Sequence, residues 1–261
     1  MNPLRIAVPI IGPLMDDALR DMDRAVNLEV DMIELRIDCI TDPNLERLLE
    51  HSKIPKIATN RVKYEGGKFE GSEEQRVALL QNAINLGVEY VDIELDYYFQ
   101  HFSFPSDESA KLIVSHHNFE GAPKYLEDIY RMSTRKDADI IKIAACANSF
   151  ADVIKMMELV FYAGRTIGLN MDKKDNLKYV TKQEICNFQE MFRDMIDVPG
   201  RFWDNLGNWT ESGVTYSGFS RVISPVLGSY LTFACLPGKP SAPGQLTVEE
   251  LRESWKKLQI E

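Results

Sequence analysis

The chain has 261 residues, 44% of them hydrophobic, enough for a full core, so bulk disorder is excluded. Asp and Glu number 40 against 30 Lys and Arg, a formal net charge of -10; that is the wrong sign for a nucleic-acid or anionic-membrane partner, though a few local arginines could still hold an anionic small molecule. Cys39, Cys146, Cys186 and Cys235 form no CxxC pair and no zinc-like spacing with histidine, which points to buried or half-buried thiols in a reducing cytosol and to no metal site.

The opening apolar run, MNPLRIAVPIIG, is too short for a signal peptide, and no later segment approaches a membrane span, so a cytoplasmic location is expected. Short apolar strands are predicted over Leu4–Val8, Asp31–Ile37, Lys56–Asn60, Tyr90–Leu95, Leu112–His117, Asp139–Ala144, Thr166–Met171 and Ser229–Ala234. Helical patterns lie between most of them. Ser72 to Gln75 and Thr247 to Glu250 read as capping boxes, and Gly87 and Gly164 fall where helices should end. Strands alternating with helices imply parallel pairing, and eight such units in about 250 residues is the size of a TIM (β/α)8 barrel. A doubly wound open sheet is the alternative, weakened by the lack of GxGxxG after the first strand.

The rhythm breaks after Met171. The segment 172–217 contains one helix candidate, Thr181–Met195, opened by Thr181 to Glu184, then Trp203 and Trp209 among Gly, Asn and Asp. It reads as an insertion in the loop after the seventh strand of a single 1–261 domain, and is too small to fold alone. A rim structure is expected there. Its tryptophans either anchor a partner or pin the loop by packing.

Several strands carry charge where a barrel should be dry. In the second, Ile33, Leu35 and Ile37 share one face and Glu34, Arg36 and Asp38 the other. Both faces of a barrel strand are covered, so the charged face should point into the barrel mouth, where charges must pair or bind something. Glu34 and Arg36 are either ligand-binding or a structural ion pair. Asp92, Glu94 and Asp96 repeat the pattern in the fourth strand. Arg61 and Glu65 flank an ordinary-looking turn ending in Gly66-Gly67.

In the fifth strand Ser115 and His117 share a face, and His116 points the other way, so the two histidines are poorly placed to chelate one metal. His117 stands at the C-terminal end, where barrel enzymes gather catalytic groups; it is either a general acid–base or a hydrogen-bonded core histidine. In the sixth, Lys142 interrupts the apolar run Ile140-Ile141-Lys142-Ile143-Ala144. In a desolvated, cation-rich pocket such an amine is neutralised and can attack a ketone to form an imine. The alternative is a lysine snorkelling to the rim.

Together these segments resemble the type I 3-dehydroquinate dehydratases. The matching pieces are Glu34 to Asp38, Arg61 to Gly67, Ser115 to Phe119, Ile141 to Ala144, Ser220-Arg221, Gly228 to Ala234 and Ser241 to Gln245, in the family's order. The resemblance implies a TIM barrel, a homodimer, no cofactor and the third step of the shikimate pathway. It implies that Lys142 forms the imine with the substrate ketone, that His117 is the base and acid, and that Glu65 orients that histidine. Glu34, Arg36 and Arg61 would hold ring hydroxyls, Arg221 the substrate carboxylate, and Ser241 and Gln245 a loop over the ring. The chain departs from the family in the pattern Met-Gly-x-x-Gly-x-x-Ser-Arg, because a long segment separates Met171 from Arg221. Pro9 and His116 stand where serine and tyrosine are common. Two other readings stay open: a class I aldolase-like Schiff-base barrel, with phosphate bound near Leu236 to Pro240, and a non-catalytic binding barrel whose mouth the insertion fills.

Overall fold

Nearly every strand residue is buried, as parallel strands covered on both faces require. A computed structural model describes residues 3–97, 110–134 and 138–260. Among these, the strands are β1 (Ile6–Ile10), β2 (Met32–Arg36), β3 (Lys56–Thr59), β4 (Tyr90–Glu94), β5 (Lys111–Asn118), β6 (Ile140–Cys146), β7 (Thr166–Met171) and β8 (Thr232–Phe233). The helices are α1 (Met15–Asn27), α2 (Leu45–Glu50), α3 (Glu73–Asn85), α4 (Leu126–Thr134), α5 (Phe150–Ala163), α6 (Lys182–Phe192), α7 (Gly200–Thr210), α8 (Tyr216–Ile223) and α9 (Val248–Leu258). The eight strands are parallel and follow the order β7-β6-β5-β4-β3-β2-β1-β8. This is the fold class of a TIM barrel.

Local signals place most helix starts. Full capping boxes open α3 at Ser72, α5 at Ser149, α6 at Thr181 and α9 at Thr247. Helix α1 has Asp16 and Asp17 in its first turn and Arg24 in its last, matching the helix dipole.

Residues divide into two compact units. One, spanning Arg5–His117 and Glu127–Ile143, holds β1 to β5 and the start of β6. Its register sets Arg36 beside Thr59, Thr59 beside Asp92 and Glu94 beside Ser115. The charged faces of neighbouring strands are thereby in line.

The other unit holds Asn118–Leu126 and everything from Ala144 onward. The Tyr230 N–H donates to the Thr166 carbonyl at 2.8 Å, tying the approach to β8 to the start of β7. Helix α8 packs on both strands, and the Trp255 indole of α9 donates to the Val222 carbonyl of α8 at 3.0 Å. The excursion after β7 closes at a neck where Val180 N–H donates to Val214 O and Tyr216 N–H to Lys178 O, both at 2.9 Å. Between these ends, α6 and α7 pack on each other, and α7 on α9. Phe188 meets Phe192, Trp203 and Phe219, and Trp209 stacks on Phe219. Trp203 and Trp209 are 6% and 7% exposed, so both are consumed by packing within the unit. Tyr216 Oη donates to Glu184 Oε1 at 2.6 Å and fixes α6 to the base of α8.

Candidate active site

The charged faces of β2, β4, β5 and β6 meet in one network inside the first unit. Its centre is Lys142, whose Nζ donates to Glu34 Oε1 at 3.0 Å and to Asp92 Oδ2 at 2.9 Å. Lys142 is 6% exposed. The surroundings differ from the cation-rich pocket the sequence suggests: its nearest partners are two carboxylates. Only one residue in two on each strand faces the network, and on β2 and β4 those positions include Glu34 and Asp92. Thr59 Oγ1 also donates to Glu34 Oε1, at 3.1 Å.

Arg61 lies beside this pair. Its Nη2 donates to Asp92 Oδ1 at 2.7 Å, and its Nη1 to Glu94 Oε1 at 2.9 Å and Ser115 Oγ at 2.7 Å. Ser115 Oγ passes a hydrogen bond on to Asp92 at 2.6 Å. Burial opposes the Arg61 charge, but Asp92, Glu94 and Glu65 hold its pKa above the ordinary value. Burial likewise opposes charge on Asp92, yet Arg61 and Lys142 hold its carboxyl well below the usual range. Behind Glu94 stands Arg76 of α3, 1% exposed, with Nη1 at 2.9 Å from Glu94 Oε2 and donating to the Asn60 carbonyl at 2.7 Å.

The turn after β3 aims Arg61 and Glu65. Gly66 has φ 81°, and a Cβ on Gly67 would lie 1.8 Å from the Arg61 carbonyl oxygen; no other residue allows so tight a return. Glu65 thus reaches β5, where its Oε2 accepts from the His117 N–H at 3.1 Å and lies 2.9 Å from His117 Nδ1. With Nδ1 as the donor in this contact, Nε2 keeps a lone pair. Burial pushes His117 well below its ordinary 6.5, and Arg61 and Lys142 add to this. Burial pushes the Glu65 carboxyl up to about 8, against the pull of Arg61. Both shifts favour a pair with no net charge and an imidazole free to accept a proton. His116 Nδ1 approaches the same carboxyl at 3.8 Å.

Arg36 does not pair with Glu34. It makes a two-pronged bond to Asp38, at 2.9 and 2.8 Å, because a 3-10 turn over Ile37–Cys39 folds Asp38 back. Asp38 also accepts from the backbone of Arg61 and Lys68.

Arg221, Ser241 and Gln245 belong to the second unit. Arg221 is 3% exposed; its Nε donates to Ser217 Oγ at 3.2 Å and its Nη1 to the Phe233 carbonyl at 3.1 Å. Among the described residues no carboxylate lies within ion-pair distance of it. Burial lowers its pKa to about 10, opposed by Cys235 and Asp172. Ser241 and Gln245 bond each other: the Ser241 N–H and hydroxyl both donate to Gln245 Oε1, at 2.8 and 2.9 Å.

These arrangements sit on a chain with clear relatives. The family model for type I 3-dehydroquinase matches residues 6–179 and 215–261. The chain belongs to the type I 3-dehydroquinase family. A 3-dehydroquinate dehydratase of Methanococcus maripaludis is 31% identical over 95% of this chain and 97% of its own length. One from Methanocaldococcus jannaschii is 27% identical over 98% and 99%. In structure, the 3-dehydroquinate dehydratase of Geobacillus kaustophilus superposes with a TM-score of 0.71 over 99% of this chain and 92% of that one, at 23% identity. The type I 3-dehydroquinase match omits 180–214, the stretch pinched off by the neck at Val180 and Val214.

Sequence reasoning placed Asp92 and Glu94 on the charged face without giving either a partner. It did not single out Arg76 or Asp172. Arg76 reads in sequence as one more charge on an exposed helix. The signal for Asp172 was available: it follows Met171, where the family pattern has glycine.

Proposed function

We propose that this chain dehydrates 3-dehydroquinate to 3-dehydroshikimate through an imine on Lys142. The observation that carries the reading is the buried Lys142 Nζ in one network with the hydrogen-bonded His117–Glu65 pair, on a chain of this family. Lys142 must first release a proton. Glu34 Oε1, at 3.0 Å, takes that proton in this reading, because Arg61 and Lys142 hold the Asp92 carboxyl ionised. The amine then adds to the C3 ketone and water leaves, giving a protonated imine. That cation withdraws electrons from C2, and His117 Nε2 removes a C2 proton to form the enamine. The enamine electrons expel the C1 hydroxyl, which leaves as water with the proton His117 carries. Hydrolysis of the product imine restores Lys142, so one water is lost overall. Glu65 keeps His117 in the tautomer that presents Nε2.

In this reading Glu34, Arg36 and Arg61 hold ring hydroxyls and set the field around Lys142. Arg221 takes the substrate carboxylate, as its buried charge without a carboxylate partner favours. Ser241 and Gln245 belong to a loop that exchanges their mutual bonds for bonds to the ring. We assign 1–261 to one barrel domain with 172–217 as its insertion. The molecule is read as a cytoplasmic homodimer, which light scattering on the purified protein tests. Among the described residues no helix is long and apolar enough to cross a membrane.

Borohydride reduction with 3-dehydroquinate is the direct test. Mass spectrometry should find the substrate skeleton on the peptide containing Lys142. A folded protein that acquires no adduct rules out the imine mechanism.

A further inference from the structure

Asp172, the residue after β7, is 3% exposed and has no role in the chemistry above. Its Oδ1 accepts from the Ser217 N–H in the first turn of α8, at 3.3 Å. The carboxyl also takes a hydrogen bond from Thr215, which caps that helix. Its other oxygen, Oδ2, is buried and has no hydrogen-bond partner. Gly244 crosses directly over it: a Cβ there would lie 2.0 Å from Oδ2, and Gly244 has φ 69°. Gly244 stands between Ser241 and Gln245, and Ser217 Oγ accepts from Arg221 Nε at 3.2 Å. One carboxyl group therefore touches the start of α8, the residue that aims Arg221, and the loop.

We propose that Asp172 is a positioning residue that couples the Ser241–Gln245 loop to α8 and sets both the aim and the free charge of Arg221. The proposal rests on reading Arg221 as the carboxylate clamp. Its physical basis is a shared field. Burial raises the Asp172 carboxyl, while Thr215, Ser217 and Arg221 pull the other way. As the acid, Asp172 can donate a hydrogen bond from its O–H to a carbonyl of the loop or to substrate, and the Arg221 charge is unopposed by it. As the carboxylate, it competes for Arg221 with an incoming carboxylate. The other ionisable groups near are Cys146 at the end of β6, whose thiol burial raises and which feels both Lys173 and Asp172, Cys235 after β8, whose thiol burial lifts to about 11, and Glu249 and Glu250 around the start of α9, which act on Cys235.

The test is the pH dependence of KM and kcat for the wild type, Asp172→Asn and Asp172→Ala, with the borohydride adduct on Lys142 followed in each. KM of the wild type should rise toward alkaline pH. Asp172→Asn, which keeps the shape and cannot ionise, should flatten that rise. Asp172→Ala should raise KM about tenfold with kcat nearly unchanged, the loss of one well-aimed charged hydrogen bond. Parallel KM profiles in wild type and Asp172→Asn, or an unchanged KM in Asp172→Ala, overturn the proposal. A wild type that forms no adduct instead defeats the imine reading, and a second measurement then still decides on Asp172. Gly244→Ala should lower Tm, and the loss should shrink by half or more in the Asp172→Ala background, because the close contact is relieved. Strictly additive Tm losses overturn the coupling.

Discussion

Arg61 and Arg221 are buried to the same degree, 3% exposed each, in opposite surroundings. Arg61 touches Asp92 and Glu94 and lies 4.0 Å from Glu65; Arg221 bonds a hydroxyl and a carbonyl. Burial disfavours both charges. Carboxylates more than compensate at Arg61, whereas Arg221 is left lowered to about 10. A saturated charge network is machinery held rigid in advance of substrate. A buried guanidinium without an anion is a place prepared for one. The same residue type thus sits in a saturated charge network in one unit and, among the described residues, beside no carboxylate in the other, and the difference lies in the partners rather than the burial.

Replacing each arginine by methionine tests this contrast and carries the largest expected effect. Arg61→Met removes one buried cation from Asp92 and Glu94, leaving them only Lys142 and Arg76, and should cost about 3–5 kcal/mol of stability in denaturant unfolding. Arg221→Met removes an uncompensated buried charge, so stability should hold or rise, while KM climbs about 10- to 100-fold. Equal destabilisation by both variants would erase the distinction.

The contrast was only half visible in sequence. Period-two alternation exposed the charged faces of β2 and β4, and Lys142 stood out in an apolar strand, because strand geometry leaves a side chain only two directions. Partners were not legible. Arg36 looked matched to Glu34, but the turn at Ile37–Cys39 brings Asp38 to it instead. Helix α7 was missed because Gly200, Gly207 and the Asn and Asp residues argue against a helix; Phe202, Trp203, Leu206 and Trp209, all buried on one face, overrule that preference. The predicted strand Ser229–Ala234 shrank to Thr232–Phe233 because Gly228 and Ser229 close the turn after α8. Asp172 could be found from the family pattern but not understood without Gly244 above it.

Within the saturated network, the His117–Glu65 pair should give a smaller but distinctive signal. A base must be unprotonated to act. Burial, Arg61 and Lys142 all lower the pKa of His117, so kcat/KM should begin to fall only at a pH below the ordinary histidine value of about 6.5. Glu65→Gln should cut kcat by about 10- to 100-fold, since the amide can still accept from Nδ1–H but, unlike the carboxyl, cannot ionise to stabilise the imidazolium formed in the reaction. An acid limb centred at or above 6.5 would mean that the network does not set the histidine's charge.

The smallest effect is expected at the loop near Arg221. In the free protein Gln245 Oε1 is satisfied by two donors from Ser241, so any bond it makes to substrate is an exchange rather than a gain. Such exchanges contribute little net free energy, about 0.5–1.5 kcal/mol. Gln245→Ala should therefore raise KM only about 2- to 10-fold. Because the free loop loses two hydrogen bonds as well, Ser241→Ala on top of Gln245→Ala should add little. A large further loss in the double variant would show that the two side chains bind substrate independently, and that their mutual bonds are not the resting state of the loop.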